Sequence, residues 1–504
     1  MADKRDFERI YVGRWVPRNP KAITALMIVV AVINSATLGY DASMMNGLNI
    51  LPQYVQYFHL DTATTGLNNA ATWIGGILAC FVLQPICDLK GRKVGIFIAA
   101  CICLIGTIIQ SAAHNIATFV IGRMFIGFGS NLASGAAPTL ISEILPPTSR
   151  GSVLGFFFSC FYVGSLLSAG INYRVVEIDT TWAWRIPSII QSLPSLLALC
   201  CLPFVPESPR WLLSRGRREE AAEVLAVING TSPDDSETIT AVSTIESVLR
   251  KEEALHPRNP WRELVATKAN RRRLFIVATF GVMIEMFGNF VISYYLGAML
   301  TQAGVTDPTT QLQINVILSC WSFVVACLGS LLTDVIGRRV QALTCITGMI
   351  VMLYIFGGLA KVYGTGSENK SGIYGTIAAL FLFQGFYAFS ITPLTCLYPP
   401  EVMSFKIRNC GRAVFAFFDN GFGLLAAFTM SFAMADLGWK FYFINASWNI
   451  GFLAIVYFFW VETARIPLEE IALKFGDLHY EDIAVPSMSG MPVEEIAAEH
   501  PKKA

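Results

Sequence analysis

Charge is scarce in this chain. Of its 504 residues only 14% are Asp, Glu, Lys or Arg, while 54% are hydrophobic and the mean hydropathy is +0.53. Soluble domains carry about 25% charged residues and interleave them with apolar ones, so a water-soluble globular protein is excluded. Histidine is rarer still. His59, His114, His256, His479 and His500 all fall in connections or in the C-terminal tail, which leaves carboxylates as the proton carriers of the apolar core. The twelve cysteines show no CxxC pair and no zinc spacing, and read as small core hydrophobes rather than redox or metal groups. The opening MADKRDFERIYVGRWVPRNPK lacks the apolar core and cleavage site of a signal peptide, so the first apolar run is expected to be its own insertion signal. No nucleophile–base pair, metal cluster or phosphate loop stands out. Neither an enzyme nor a cofactor or metal is expected.

What the chain has instead is long apolar runs. About twelve of them reach the length that crosses a bilayer as helix, among them 22–39, 94–112, 274–300, 340–359 and 441–460. Lys90, Arg92, Lys93, Arg150, Arg338, Arg339, Lys406 and Arg408 share one side of these runs with both termini, and that side is expected to be cytoplasmic. The stretch 206–272 is the only long polar segment between runs and divides them six and six. The expected organisation is a cytoplasmic N-terminus 1–21, a six-helix half 22–205, a cytoplasmic helical linker 206–272, a second six-helix half 273–461 and a cytoplasmic tail 462–504. The tail after Phe475 is acidic and rich in small residues, and is expected to be disordered. Asn369 heads a glycosylation sequon on the predicted outer side; the one at Asn229 lies inside and should be silent.

The halves repeat each other. DLKGRK at 88–93 recurs as DVIGRR at 334–339, an offset of 334 − 88 = 246. Glu143 precedes Arg150 by seven residues and Glu401 precedes Arg408 by seven, an offset of 401 − 143 = 258. Glu207-Ser-Pro-Arg210 recurs as Glu462-Thr-Ala-Arg465, an offset of 462 − 207 = 255. A positive-inside bias explains the basic residues of these patterns but not the matched acids. Two six-helix halves related in parallel are the architecture of major facilitator transporters, which bind substrate between the halves near mid-membrane. Asp88, Arg92, Glu143, Arg150, Glu207, Arg210, Asp334, Arg338, Glu401, Arg408 and Glu462 are therefore candidate cytoplasmic gate residues, expected to pair across the halves when that side is closed. A static charged collar is the alternative.

PESPRWLLSRGRREEA (206–221) resembles the loop after the sixth span of sugar porters in the major facilitator superfamily. GYD at 39–41, GR at 122–123, PTLISEILPPTSRG at 138–151, SYY at 293–295, PPEVMSFKIR at 399–408 and VETARIPLEEI at 461–471 extend the resemblance over most of the chain. GNFVISYYL and TPLTCLYPPEVMSFKIRNCG look closest to fungal lactose and cellodextrin permeases. The resemblance implies an all-α membrane protein of twelve transmembrane helices that moves a sugar or sugar-like solute by alternating access. In proton-coupled members an aspartate of the first span pairs with an arginine of the fourth; those positions are Asp41 and Arg123. Protonating such an Asp would release the Arg, tying proton movement to a conformational switch. A fixed structural pair, as in a facilitator, is the alternative.

The chain departs from the family at the sugar site. Phe158 replaces the fifth-span glutamine, Glu285 the seventh-span glutamine, Cys396 the tenth-span tryptophan and Asp419, followed by Asn420, the eleventh-span glutamine. Glu285 lies 285 − 273 = 12 residues past Arg273, roughly 18 Å along a helix, and is expected on one face with Gly288, Asn289 and Ile292. Asn289, Tyr294, Tyr295, Gln311 and Asn315 remain as neutral polar contacts, with interhelical bonding or packing as their alternative. The leading expectation is a proton-coupled symporter, monomeric, in the plasma membrane. Its partners would be a small solute, protons and the lipid bilayer, with no nucleic acid. A transporter or exporter of a non-sugar or glycosylated metabolite is the first alternative. A non-transporting sensor is the second, disfavoured because only about thirty residues follow Phe475, too few for a folded signalling domain.

Overall fold

In the computed structural model, residues 11–145, 153, 156–255, 260–364, 369–404, 407–464 and 474–476 are described. Among them twelve helices are long and apolar enough to cross a membrane. The first six are Pro20–Ile50, Thr62–Lys90, Arg92–Ser111, Ile116–Ile144, Phe156–Val175 and Trp182–Phe204. The second six are Lys268–Gln302, Pro308–Ile336, Arg338–Tyr363, Lys370–Val402, Cys410–Asp436 and Lys440–Phe459. These are the first to twelfth spans. The seventh begins a turn before the expected boundary, because Thr267 caps it by accepting from Asn270 N at 3.1 Å and its three arginines fall in the opening turns.

Local chemistry starts the spans where it should. Asn19, Asp61, Asn115, Asp307 and Asn369 each accept from a first-turn backbone N–H, which satisfies donors that a helix start leaves open. Asn369 is thus both sequon and cap, at the end opposite the termini.

The predicted repeat is visible in space at the end bearing the termini. Gly91 (φ 101°) and Gly337 (φ 95°) turn the chain between spans two and three and between eight and nine, in a backbone region that glycine alone adopts readily. Against each turn lies a glutamate. Glu207 accepts from Arg92 N at 3.1 Å and Lys93 N at 3.2 Å; Glu462 accepts from Arg338 N at 2.8 Å and Arg339 N at 3.0 Å. Each carboxylate therefore sits on the positive end of the following helix. Burial pushes the Glu207 carboxyl above the ordinary carboxylate range, while these backbone donors draw it down. Arg92 binds Glu143 at 3.1 Å and Asp88 at 3.7 Å, and Arg338 binds Glu401 at 2.9 Å and Asp334 at 2.7 Å.

The expected pairing across the halves belongs to a state in which this side is closed, and stands as an expectation for that state. Among the described residues these ion pairs close within each half, not between halves. Pairing is local because each arginine projects from the same turn that its half's own glutamates surround. Arg210 is within electrostatic reach of Arg408 across the halves, and each has further partners of its own. Arg150 lies outside the described residues.

Helices Pro209–Ser214, Arg218–Asn229, Ser236–Leu255 and Pro260–Ala266 fill the linker. Trp211, Leu212, Val224, Leu225 and Ile228 share one apolar cluster with Ile23 and Met27 of the first span. Trp211 Nε1 donates to Asp88 O at 2.8 Å, which fixes the PESPR segment to the end of the second span.

The bundle is closed by small residues that let backbones touch. A Cβ on Gly39 would stand 1.8 Å from Phe161 O, and one on Gly164 2.0 Å from Ala36 O, so spans one and five meet backbone to backbone. Gly164→Val is expected to cost about 1–3 kcal/mol by overpacking. A clearly lowered melting temperature of the purified protein checks this, and an unchanged one contradicts the close approach.

Candidate functional site

A charged pair lies inside the first half. Arg123 is fully buried, and its Nη1 donates to Asp41 Oδ1 at 3.2 Å. Its Nε donates to Asn68 O at 3.0 Å and its Nη2 to Thr72 Oγ1 at 3.4 Å. Gln191 of the sixth span donates to the same Asp41 oxygen at 2.8 Å and accepts from Gln110 at 3.2 Å. The two residues predicted to pair do so: spans one, four and six meet at one carboxylate, and span two holds the arginine. A buried ion is tolerable only with such complete partnering. Gln191 escaped the sequence reading, although a lone amide in an apolar run is a usable signal.

The seventh span is broken. Its first helix ends at Met286, Gly288 takes φ 104°, and a second helix runs from Asn289 to Gln302 with non-helical Tyr295 (φ −127°, ψ 25°) inside it. The single face expected for Glu285, Gly288, Asn289 and Ile292 is therefore interrupted, because the left-handed residue resets the helical phase. Carbonyls left open by the break are taken by the twelfth span: Trp448 Nε1 donates to Met286 O at 2.7 Å and Asn449 Nδ2 to Phe287 O at 3.0 Å.

At the second interruption the first span does the same across the two halves. Asn46 Nδ2 donates to Ile292 O at 3.2 Å while its Oδ1 accepts from Leu296 N at 3.2 Å. Those are the two groups that an unbroken helix would join to each other, so the Asn46 amide is inserted into an i→i+4 bond. Asn49 adds a donation to Tyr294 O at 3.0 Å. Asn46 also donates to Asn315 Oδ1 at 3.3 Å. These contacts join the halves on the side away from the termini.

Glu285 stands in the last turn before the break, buried and with no hydrogen bond or ion pair among the described residues. Asp419 of the eleventh span is close enough for the two charges to interact, and its Oδ1 has no protein partner. Tyr387 of the tenth span donates its hydroxyl to Ile284 O at 3.4 Å, next to Glu285, and is within electrostatic reach of both acids. Asn289 stands near that tyrosine, and its Oδ1 has no protein partner.

The other predicted contacts divide. Tyr294 stacks on Phe290 at 4.5 Å, and Tyr295 donates to Ala427 O at 2.6 Å. Gln311 spends its amide on Thr301, Val305 and Gly297, holding the end of the seventh span to the eighth. Asn420 donates to Ala416 O at 2.8 Å and packs against Gly76 of the second span. Phe158 packs with the apolar cluster of the first half, away from the acids. Cys396 is a half-buried free thiol near Arg412. Tyr162, Gln384 and Tyr387 were missed; they read as ordinary span residues until the fold sets spans five and ten against the seventh.

Twelve membrane-length helices in two repeated halves, with buried charges and a broken span along their seam, define a multi-pass transporter of the major facilitator fold rather than an enzyme. Residues 27–475 match the family described as sugar (and other) transporter, and the chain belongs to that family. It is 28% identical over 459 residues to the MFS-type transporter oryC of Aspergillus oryzae, covering 89% of this chain and 85% of that one. It is 28% identical over 481 residues to the high-affinity glucose transporter of Kluyveromyces lactis, with 92% and 87% covered. It is 29% identical over 470 residues to a probable quinate permease of Aspergillus niger, with 88% and 86% covered. The solved proton:xylose symporter XylE bound to 6-bromo-6-deoxy-D-glucose is similar in fold, with TM-score 0.74, 21% identity and coverage of 91% of this chain and all 100% of that one.

Replacing Asn46 tests its insertion. Asn46→Leu removes an acceptor and a donor worth about 1–2 kcal/mol, so deuterium exchange in the peptide spanning 289–302 should accelerate about tenfold. Asn46→Asp, which keeps the acceptor for Leu296 N, should exchange more slowly than Asn46→Leu.

Proposed function

We propose that the chain is a proton-coupled symporter that carries a polyhydroxylated, sugar-like solute by alternating access, with Asp41 as proton acceptor and Arg123 as its switching partner. The observation that carries this reading is the buried Asp41–Arg123 pair with Gln191 on the same carboxylate oxygen. Protonating Asp41 cancels its attraction for the guanidinium. Arg123 then keeps only its bonds to Asn68 O and Thr72, and Gln191 faces a neutral acid. Three spans thereby lose a shared anchor at once, which couples a proton to helix packing. Losing the proton on the other side restores the pair.

The ends of the bundle support two-state motion. On the far side Asn46 and Asn49 hold the seventh span to the first. On the termini side the ion pairs stiffen each half separately, so the halves can part there without breaking them. In this reading both termini are cytoplasmic and the protein sits in the plasma membrane, exposing Asn369 outside.

A second reading has its own observation. Glu285 and Asp419 stand where sugar porters carry amides, and one relative is named a quinate permease. A non-sugar or glycosylated metabolite then replaces the sugar in the same cavity.

Asp41→Asn is the decisive variant. Gradient-driven accumulation, measured in transporter-deficient cells against labelled hexoses, disaccharides and amino sugars, should fall about tenfold or more, equivalent to about 1.4 kcal/mol. Exchange at equal pH should survive. Accumulation equal to that of the unaltered chain would sink the coupling role.

A further inference from the structure

We propose that Glu285, Asp419, Asn289 and Gln384 form a binding wall for a protonated nitrogen on the transported solute, so that the substrate class is a polyhydroxylated amine. This rests on the chain being a solute transporter of the kind proposed above, and it goes further by naming the charge the solute carries.

The wall presents acceptors. Glu285 is 9% exposed and takes no hydrogen bond or ion pair among the described residues. Asp419 Oδ1, Asn289 Oδ1 and Gln384 Oε1 are buried oxygens without protein partners. Gln384 itself is 5% exposed and lies three residues before Tyr387 on the tenth span, on the same helical face. Tyr387 points its proton at Ile284 O, so it too offers lone pairs to the space between the acids. Buried polar atoms in folded proteins are nearly always partnered. Three open oxygens beside the unbonded Glu285 carboxylate mark a site whose partner comes from outside the chain.

Charge decides what that partner is. The buried cation Arg123 is committed to Asp41, Asn68 O and Thr72, and Arg273, also buried, lies 285 − 273 = 12 residues before Glu285, about 18 Å along the helix. Arg412 lies two turns before Asp419 on the eleventh span and is exposed. Asp419 N packs 3.1 Å from where a Cβ on Gly281 would stand, one turn before Glu285, so the two acids lie close enough to interact, and among the described residues no cation bonds to either. A neutral sugar leaves that deficit in place. An ammonium group between them supplies the counter-charge and forms short charge-assisted bonds to the carboxylates and to the amide oxygens beside them.

Equilibrium binding to the purified full chain tests this with matched probes: glucosamine against glucose, and N-methylglucamine against sorbitol. Each amine is expected to bind about tenfold tighter or more than its neutral counterpart, equivalent to about 1.4 kcal/mol. Glu285→Gln with Asp419→Asn keeps shape and removes charge, and should erase or invert that preference. Should the double variant fail to fold, Glu285→Gln alone is expected to show the same loss. Equal affinity for amine and neutral probes, no binding of either amine, or a preference that survives loss of the carboxylates overturns the assignment. The measurement uses no proton gradient, so failure of coupling at Asp41 leaves its result unchanged, and the two proposals fall separately.

Discussion

A helix that stops and restarts inside apolar surroundings exposes carbonyls and amides that no water can reach, and each must find a partner or cost several kcal/mol. The seventh span does this twice, and the rest of the structure is arranged around the consequence. The first break is served from its own half by Trp448 and Asn449. The second is served from the other half by Asn46. One interruption thus fixes Glu285 against its neighbours, while the other makes the seventh span a shared element of both halves.

Charge is distributed unevenly between those halves. The first contains a balanced pair, Asp41 with Arg123, buried and fully bonded. The second contains Glu285 and Asp419 facing each other without a cation. A balanced pair can toggle when a proton arrives, because its members hold each other in place. An unbalanced pair has to receive its balancing charge, either as a proton or with the solute. The two kinds of site lie in different halves, while Asn46 and Tyr162 tie the halves together through Ile292, Leu296 and Thr392.

Much of this was legible in the chain. Apolar run length and the repeated acidic–basic motifs predict the number of spans and their two-fold repetition, because bilayer thickness and helix rise leave little choice. Asp41 and Arg123 were legible for a related reason: an ion in an apolar span demands a partner, and few are available. The partners at the termini side were legible as residue types but not as pairs. Arg92 and Glu143, or Arg338 and Glu401, come together through the turns at Gly91 and Gly337, whose geometry depends on the whole half being packed. The break at Gly288 was hidden for a simpler reason. GNFVIS reads as a continuation of the apolar period, and only the supply of substitute donors from the twelfth span makes a left-handed residue affordable there. Gln384 and Tyr387 are ordinary in sequence because their meaning comes from what spans five and seven place beside them.

Asn46 addresses the seventh span only through its main chain, at Ile292 O and Leu296 N. Those atoms are the same whatever side chains the span carries. Descendants of this chain can therefore exchange side chains along the span without dismantling the contact that joins the halves on the far side. In the proposed transport cycle cargo and closure would then be inherited separately, leaving a lineage free to change the one while keeping the other.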